Sequence, residues 1–187
     1  MVLQSTAPQW SIQMPSVSET ECVVSVLFTR GYDLAARIIF LLTGRCYTHA
    51  SLGLGEQTDT FYSFNVKGFR EEHPAHRQLK NGKKDSLCYQ FRVSREEFEQ
   101  MEHEVRRHVE QKADSCYNYF GVACSTVRIH CRFKKKSSYF CSEFVSEKLK
   151  KLKSFRLKRA AQMYMPADLA RELAQQKNLY RVLVDEI

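Results

Sequence analysis

Between residues 86 and 109 the hydrophobic period changes once, and no linker separates the two halves. The stretch "SLCYQFRV" (86–93) reads as a strand. Directly after it, Ser94 and Glu97 form the S-x-x-E box that starts a helix. Phe98, Met101, Val105 and Val109 then fall on one helical face. A strand running straight into an amphipathic helix calls for a mixed fold. The remaining segments extend it. "CVVSVLFT" (22–29) is a Val-rich strand, and Asp33 caps a short apolar helix, "LAARIIFLL", which Gly44 ends. "YTHASLGLG" (47–55) and "DTFYSFNV" (59–66) read as two further strands. Residues 68–82, with Gly68, Pro74 and Gly82, read as a loop. A helix begins near Cys141 with Phe144, Val145, Leu149 and Leu152 as its core stripe. "MPADLARELAQQK" is a helix with Pro166 in its first turn, and "LYRVLVDEI" a last strand. This order implies an α+β fold with an antiparallel sheet packed against helices.

A chain of 187 residues suits one domain, placed here at 21–187 behind a loosely ordered, polar arm at 1–20. Seven cysteines, at 22, 46, 88, 116, 124, 131 and 141, include no C-x-x-C pair. That spacing fits neither a zinc ribbon nor a redox motif, and it suits mostly reduced, core-forming thiols in a reducing compartment. The first twenty residues lack the basic start and apolar stretch of a secretory signal. "LAARIIFLLT" is too short to span a bilayer and carries Arg37. A cytoplasmic location is the expectation. The net charge of +8 gathers at 132–136 ("RFKKK") and 148–159 ("KLKKLKSFRLKR"). Such runs can meet an anionic surface or substrate, but a solvated helix face explains them more simply. No nucleic-acid-binding motif accompanies them, which disfavours a nucleic-acid partner.

Cys141 is the candidate for chemistry. With Ser138 as N-cap it falls in the first turn of its helix, where the dipole and free N–H groups favour a thiolate. The same N–H groups can donate to an oxyanion. Taken alone, such a thiol is more often a packed one. A nucleophilic cysteine also needs a base, and the base an orienting partner. His73, His76, His103 and His108 lie in polar surroundings and read as solvated, while His130 beside the basic loop is ambiguous. His49 differs, because it lies within an apolar alternating strand and shares a face with Ser51 and Gly53. On the following strand Ser63 or Asn65 can accept the imidazole N–H.

These residues carry a resemblance. "LFTRGYDLAARIIFLLTGRCYTHASLGL", "FYSFNVKGF", "YNYFG", "YFCSEFVSEKL" and "MPADL" occur in the order of the circularly permuted papain-like cysteine hydrolases. These are relatives of the NlpC-type peptidases in which the His strand precedes the Cys helix, and the chain is most similar to their bacterial, mostly uncharacterised branch. The resemblance runs from residue 22 onward and implies a permuted papain-like fold. It implies Cys141 as nucleophile, His49 as base and Ser63 as the third polar residue. Family members often carry His, Glu or Gln in that third place, so Ser63 is a departure. Tyr117 resembles the tyrosine of a Y-x-x-x-G motif near the oxyanion site. Glu143 reads as compensation of the helix dipole. The implied activity is amidase- or peptidase-like hydrolysis through a thioacyl-enzyme, on peptide, isopeptide or acyl-ester bonds, with no metal and no cofactor. A lipid-directed acyltransferase or lipase similar to lecithin:retinol acyltransferase is the alternative, although the second histidine of that group is missing. A non-catalytic binding module is the other, supported by the non-ionisable Ser63.

Overall fold

The structure is a computed structural model that describes residues 21–30, 47–74, 86–111, 115–126 and 138–185. The arm at 1–20, the helix expected at 34–42, His76, His130 and the basic run at 132–136 lie outside the described residues. In chain order the elements are β1 (Glu21–Thr29), β2 (His49–Leu54), β3 (Phe61–Asn65), β4 (Gly68–Glu72), β5 (Ser86–Ser94) and α1 (Arg95–Glu110). They continue with β6 (Cys116–Tyr117), α2 (Tyr119–Thr126), β7 (Ser138–Tyr139), α3 (Cys141–Lys150), α4 (Pro166–Leu173) and β8 (Leu179–Val184). A 3₁₀ turn at Ala161–Met163 precedes α4. The fold is α+β, as the sequence implies. Six strands form one sheet in the order β4-β3-β2-β1-β5-β8, and every pairing in it is antiparallel.

The alternation of β1 explains how the sheet is clothed. Val24, Val26 and Phe28 point to one face and join the main core with Ala50, Leu52, Phe64 and Phe91. Met101 and Val105 of α1 and Phe144, Val145 and Leu149 of α3 close over that face. Leu27 points the other way, into a smaller cluster with Phe61 and Cys88. Two buried helical stripes therefore press on a sheet face made of every second strand residue.

The capping box of α1 forms as expected. Ser94 Oγ accepts from the Glu97 N–H at 3.2 Å, and Glu97 Oε2 accepts from the Ser94 N–H at 3.1 Å. Glu97 also accepts from the Ser154 N–H at 2.8 Å and the Ser154 hydroxyl at 2.5 Å. One carboxylate thus starts α1 and ties it to the chain leaving α3. Burial pushes its pKa up, but the hydrogen bonds that the carboxylate accepts from Ser154 and Ser94 outweigh burial and lower it.

Four expectations are corrected. The residues read as a loop after Gly68 begin with a strand, β4. The turn at Val66 and Lys67 reverses the chain, and Gly68 closes it at φ +88°. A Cβ at Gly68 would lie 2.6 Å from the Ser115 carbonyl oxygen, so only glycine fits this hairpin. Ser138 is not an N-cap, because it pairs in β7 and the cap position of α3 is Phe140. His108 is not solvated. It is 6 % exposed and sits among the rings of Phe64, Phe69, Phe144 and Tyr139, with centroids 5.3–5.9 Å away. Lys148 is not on a solvated face either. Its side chain is buried, and Nζ donates to Glu104 at 2.9 Å while Lys151 pairs with the same carboxylate at 2.8 Å. Burial pushes Glu104 up, but these two lysines outweigh it and hold the carboxyl at about 2.

Cys22, Cys88, Cys116 and Cys141 are free thiols, and Cys124 is disulfide-bonded. Among the described residues no helix is long and apolar enough to cross a membrane.

Candidate active site

His49 opens β2, opposite Thr29 of β1. Strand alternation puts it on the face of Ser51 and Gly53, away from Ala50 and Leu52 in the main core. A Cβ at Gly53 would lie 2.8 Å from the Phe61 ring, so this face looks onto Phe61. Phe61 in turn stands directly opposite Glu72 in the β3–β4 ladder. His49, Gly53, Phe61 and Glu72 therefore share one side of the sheet.

That shared side produces the contact that defines the site. His49 Nε2 lies 3.0 Å from Glu72 Oε1 and 2.9 Å from Oε2. A carboxylate only accepts, so Nε2 carries the hydrogen and Nδ1 is the nitrogen left to act as a base. The two side chains are 14 % and 13 % exposed, which shields the pair from water without sealing it. The Cys141 thiol is within hydrogen-bonding reach of the same ring. Burial works against a charged imidazole here. The Glu72 carboxylate and the Cys141 sulfur outweigh it, and the ring is held protonated well above the ordinary histidine range.

Cys141 is the first residue of α3 and is 3 % exposed. Phe140, at the cap position, has no side chain able to accept a hydrogen bond, and none is made. Glu143 reaches back instead, its Oε2 accepting from the Phe140 N–H at 3.3 Å. Glu143 thus does more than balance the helix dipole. The other thiols differ from Cys141 in place. Cys116 is exposed, and burial pushes Cys88 up to about 12.

The structure brings His49 and Cys141 together and leaves Ser63 apart. Ser63 is fully buried and its hydroxyl donates to the Ala50 carbonyl at 2.6 Å, where it fastens β3 to β2. Asn65 accepts from the Lys67 N–H at 2.9 Å and shapes the β3–β4 turn. Glu72 holds the ring position that the sequence reading gave to Ser63 or Asn65. Tyr117 lies in β6, opposite Tyr139 and two residues upstream of Cys141 in register, with its ring 4.9 Å from that of Tyr119. Within "YNYFG", Asn118 reaches the turn at Cys141, its Nδ2 donating to Glu143 Oε2 at 3.2 Å.

Neither a scan against protein-family models nor a search of curated proteins matches this chain.

Proposed function

We propose that this chain is a cysteine hydrolase of the permuted papain-like type, with Cys141 as nucleophile, His49 as general base and Glu72 as the residue that orients and charges His49. The observation that carries the reading is the two-oxygen contact of Glu72 with Nε2, on a ring whose other partner is the Cys141 thiol. A thiol, an imidazole and a carboxylate in series form the arrangement that activates a weak nucleophile. The non-catalytic module had its main support in a partner that could not ionise, and Glu72 is an ionisable one.

The chemistry follows from the positions. The thiol proton rests on Nδ1 of the protonated ring, and the Cys141 thiolate attacks an acyl carbonyl carbon. The C=O pair moves onto oxygen, beside the first-turn N–H groups of α3. The intermediate collapses as the imidazolium gives its proton to the leaving amine or alkoxide, and a thioester remains on Cys141. His49 then takes a proton from water, the hydroxide attacks the thioester, and the carboxylic acid and free thiol are released. Glu72 keeps Nε2 protonated and stabilises the imidazolium throughout.

The test is site-resolved alkylation. Iodoacetamide is applied across pH 5–9 to the native protein and to His49→Ala, with exposed Cys116 as the control in the same chain. The expected result is that native Cys141 reacts ahead of Cys116 at acidic pH, and that His49→Ala removes the advantage. Equal reactivity of the two cysteines in the native protein refutes the reading.

A further inference from the structure

Asn118 makes more directed contacts than a turn residue requires. Its backbone N–H donates to the Tyr139 carbonyl at 3.0 Å, and its own carbonyl accepts from the Val122 N–H at 3.1 Å. Its Oδ1 accepts from the Gly121 N–H at 2.8 Å, which caps α2. Its Nδ2 crosses to Glu143 Oε2 at 3.2 Å. Glu143 is 1 % exposed, and the same Oε2 holds the Phe140 N–H. A side chain that starts one helix therefore reaches, through Glu143, the first turn of the next, at the Tyr139–Phe140 peptide, one before the peptide that carries the Cys141 N–H. Gly121 is part of this device. A Cβ there would fall 2.2 Å from Asn118 Nδ2, so any larger residue pushes the amide off its place.

An N-cap side chain ordinarily claims the N–H of the second or third helical residue. In α3 none does, because the cap is a phenylalanine. The helix start is fastened through the Phe140 N–H instead. This leaves the Ser142 N–H without a side-chain cap acceptor, while the peptide that carries the Cys141 N–H is held by its own Phe140 carbonyl, which accepts from the Phe144 N–H at 3.0 Å.

We propose that Asn118 is a positioning residue which, through Glu143, holds the Cys141 and Ser142 N–H groups in the orientation that receives the acyl oxyanion. The inference rests on Cys141 being the nucleophile. It is separable from that reading because alkylation and acylation make different demands. Displacement of iodide by the thiolate develops no oxyanion. Attack on 4-nitrophenyl acetate does: sulfur bonds to the carbonyl carbon, the π pair moves to oxygen, and collapse expels 4-nitrophenolate to leave an acetyl thioester.

The experiment measures both reactions at Cys141 by peptide mass spectrometry, with glutathione in the same tube as the reference thiol. Native protein is compared with Asn118→Asp and Glu143→Gln. Asn118→Asp keeps the oxygen that caps α2 but loses the donor to Glu143. Glu143→Gln keeps an acceptor for both Phe140 and Asn118. In the native protein the advantage of Cys141 over glutathione is expected to be about tenfold or more larger in acylation than in alkylation, given that one oxyanion donor is worth roughly 10²–10³ in rate. Asn118→Asp is expected to lose about tenfold in acylation while its alkylation stays within about twofold, and Glu143→Gln to acylate within about threefold of native. The proposal is overturned if Asn118→Asp acylates like the native protein, if both reactions fall together, or if the native protein shows no excess in acylation. Native Cys141 that alkylates no faster than Cys116 refutes the nucleophile itself and takes this inference with it.

Discussion

His108 gives a stability prediction that can be worked through in numbers. It is buried in a cage of four aromatic rings under α3, and its Nε2 has no hydrogen-bond partner. Burial is the largest force on its pKa, followed by the nearby charges of Lys148 and Arg107. Glu104 and Glu147 oppose them, and the net result is a ring that protonates only at about 4 instead of 6.5. In the unfolded chain the ring takes its proton near the ordinary value, so between those limits the unfolded state binds more protons. Stability therefore falls as pH drops from about 6.5 to about 4, and no further loss comes from this ring below that. At 1.36 kcal/mol per pH unit the full effect is about 3 kcal/mol, and about 2.5 kcal/mol is gone by pH 4.5. His108→Phe removes the titration and fills the cage with an apolar ring. It also removes an unpartnered buried nitrogen, so its stability at pH 7 is expected to equal or exceed the native value. Urea unfolding at pH 7.0 and 4.5 measures both proteins, and the carboxylates that titrate in the same range cancel between them. The native protein is expected to lose about 2.5 kcal/mol more than His108→Phe, a midpoint difference of about 1 M. An equal loss in the two proteins refutes the claim that the ring is held neutral.

The other predictions concern the site. Glu72→Gln removes the leading charge that keeps His49 protonated, so the ring should lose its proton at lower pH. The alkylation advantage of Cys141 over Cys116 should then fall by about tenfold or more near pH 8. Ser63→Ala should leave that advantage within about twofold, yet lower urea stability by about 1 kcal/mol through loss of the bond to Ala50. Gly68→Ala meets both a positive φ and the Ser115 carbonyl, and should cost about 1–3 kcal/mol. Because Gly68 starts the strand that delivers Glu72, the same change should lower Cys141 reactivity in the alkylation assay.

The sequence disclosed the elements whose signals are local. The Ser94–Glu97 box, the stripe of Met101 and Val105, the Pro166 start and the alternation around His49 each depend on neighbours within a few residues. His49 and Cys141 were both legible because each stands out from its own surroundings. Glu72 did not stand out. It lies in a polar run, "GFREE", on a strand with only one neighbour in the sheet, so no buried alternation marks it. Its partner is 23 residues away and is set by a hairpin register that one glycine controls. Ser63 attracted attention by adjacency, but a buried hydroxyl on a strand satisfies the nearest carbonyl first. His108 was misread from its charged neighbours Arg106 and Arg107. Its spacing from Met101 and Val105 placed it on the buried face, and that was the signal to follow.

The strand that carries Glu72 is one of the two edge strands of the sheet. On its outer side the Phe69 N–H donates to the Ser115 hydroxyl at 2.9 Å. Edge strands open locally at lower free energy than the whole domain unfolds. Peeling β4 strips the carboxylate from the imidazole while β1, β2 and β5 keep their ladders. Warming should therefore silence the thiol some degrees before the fold melts, and cooling should restore it without any refolding step.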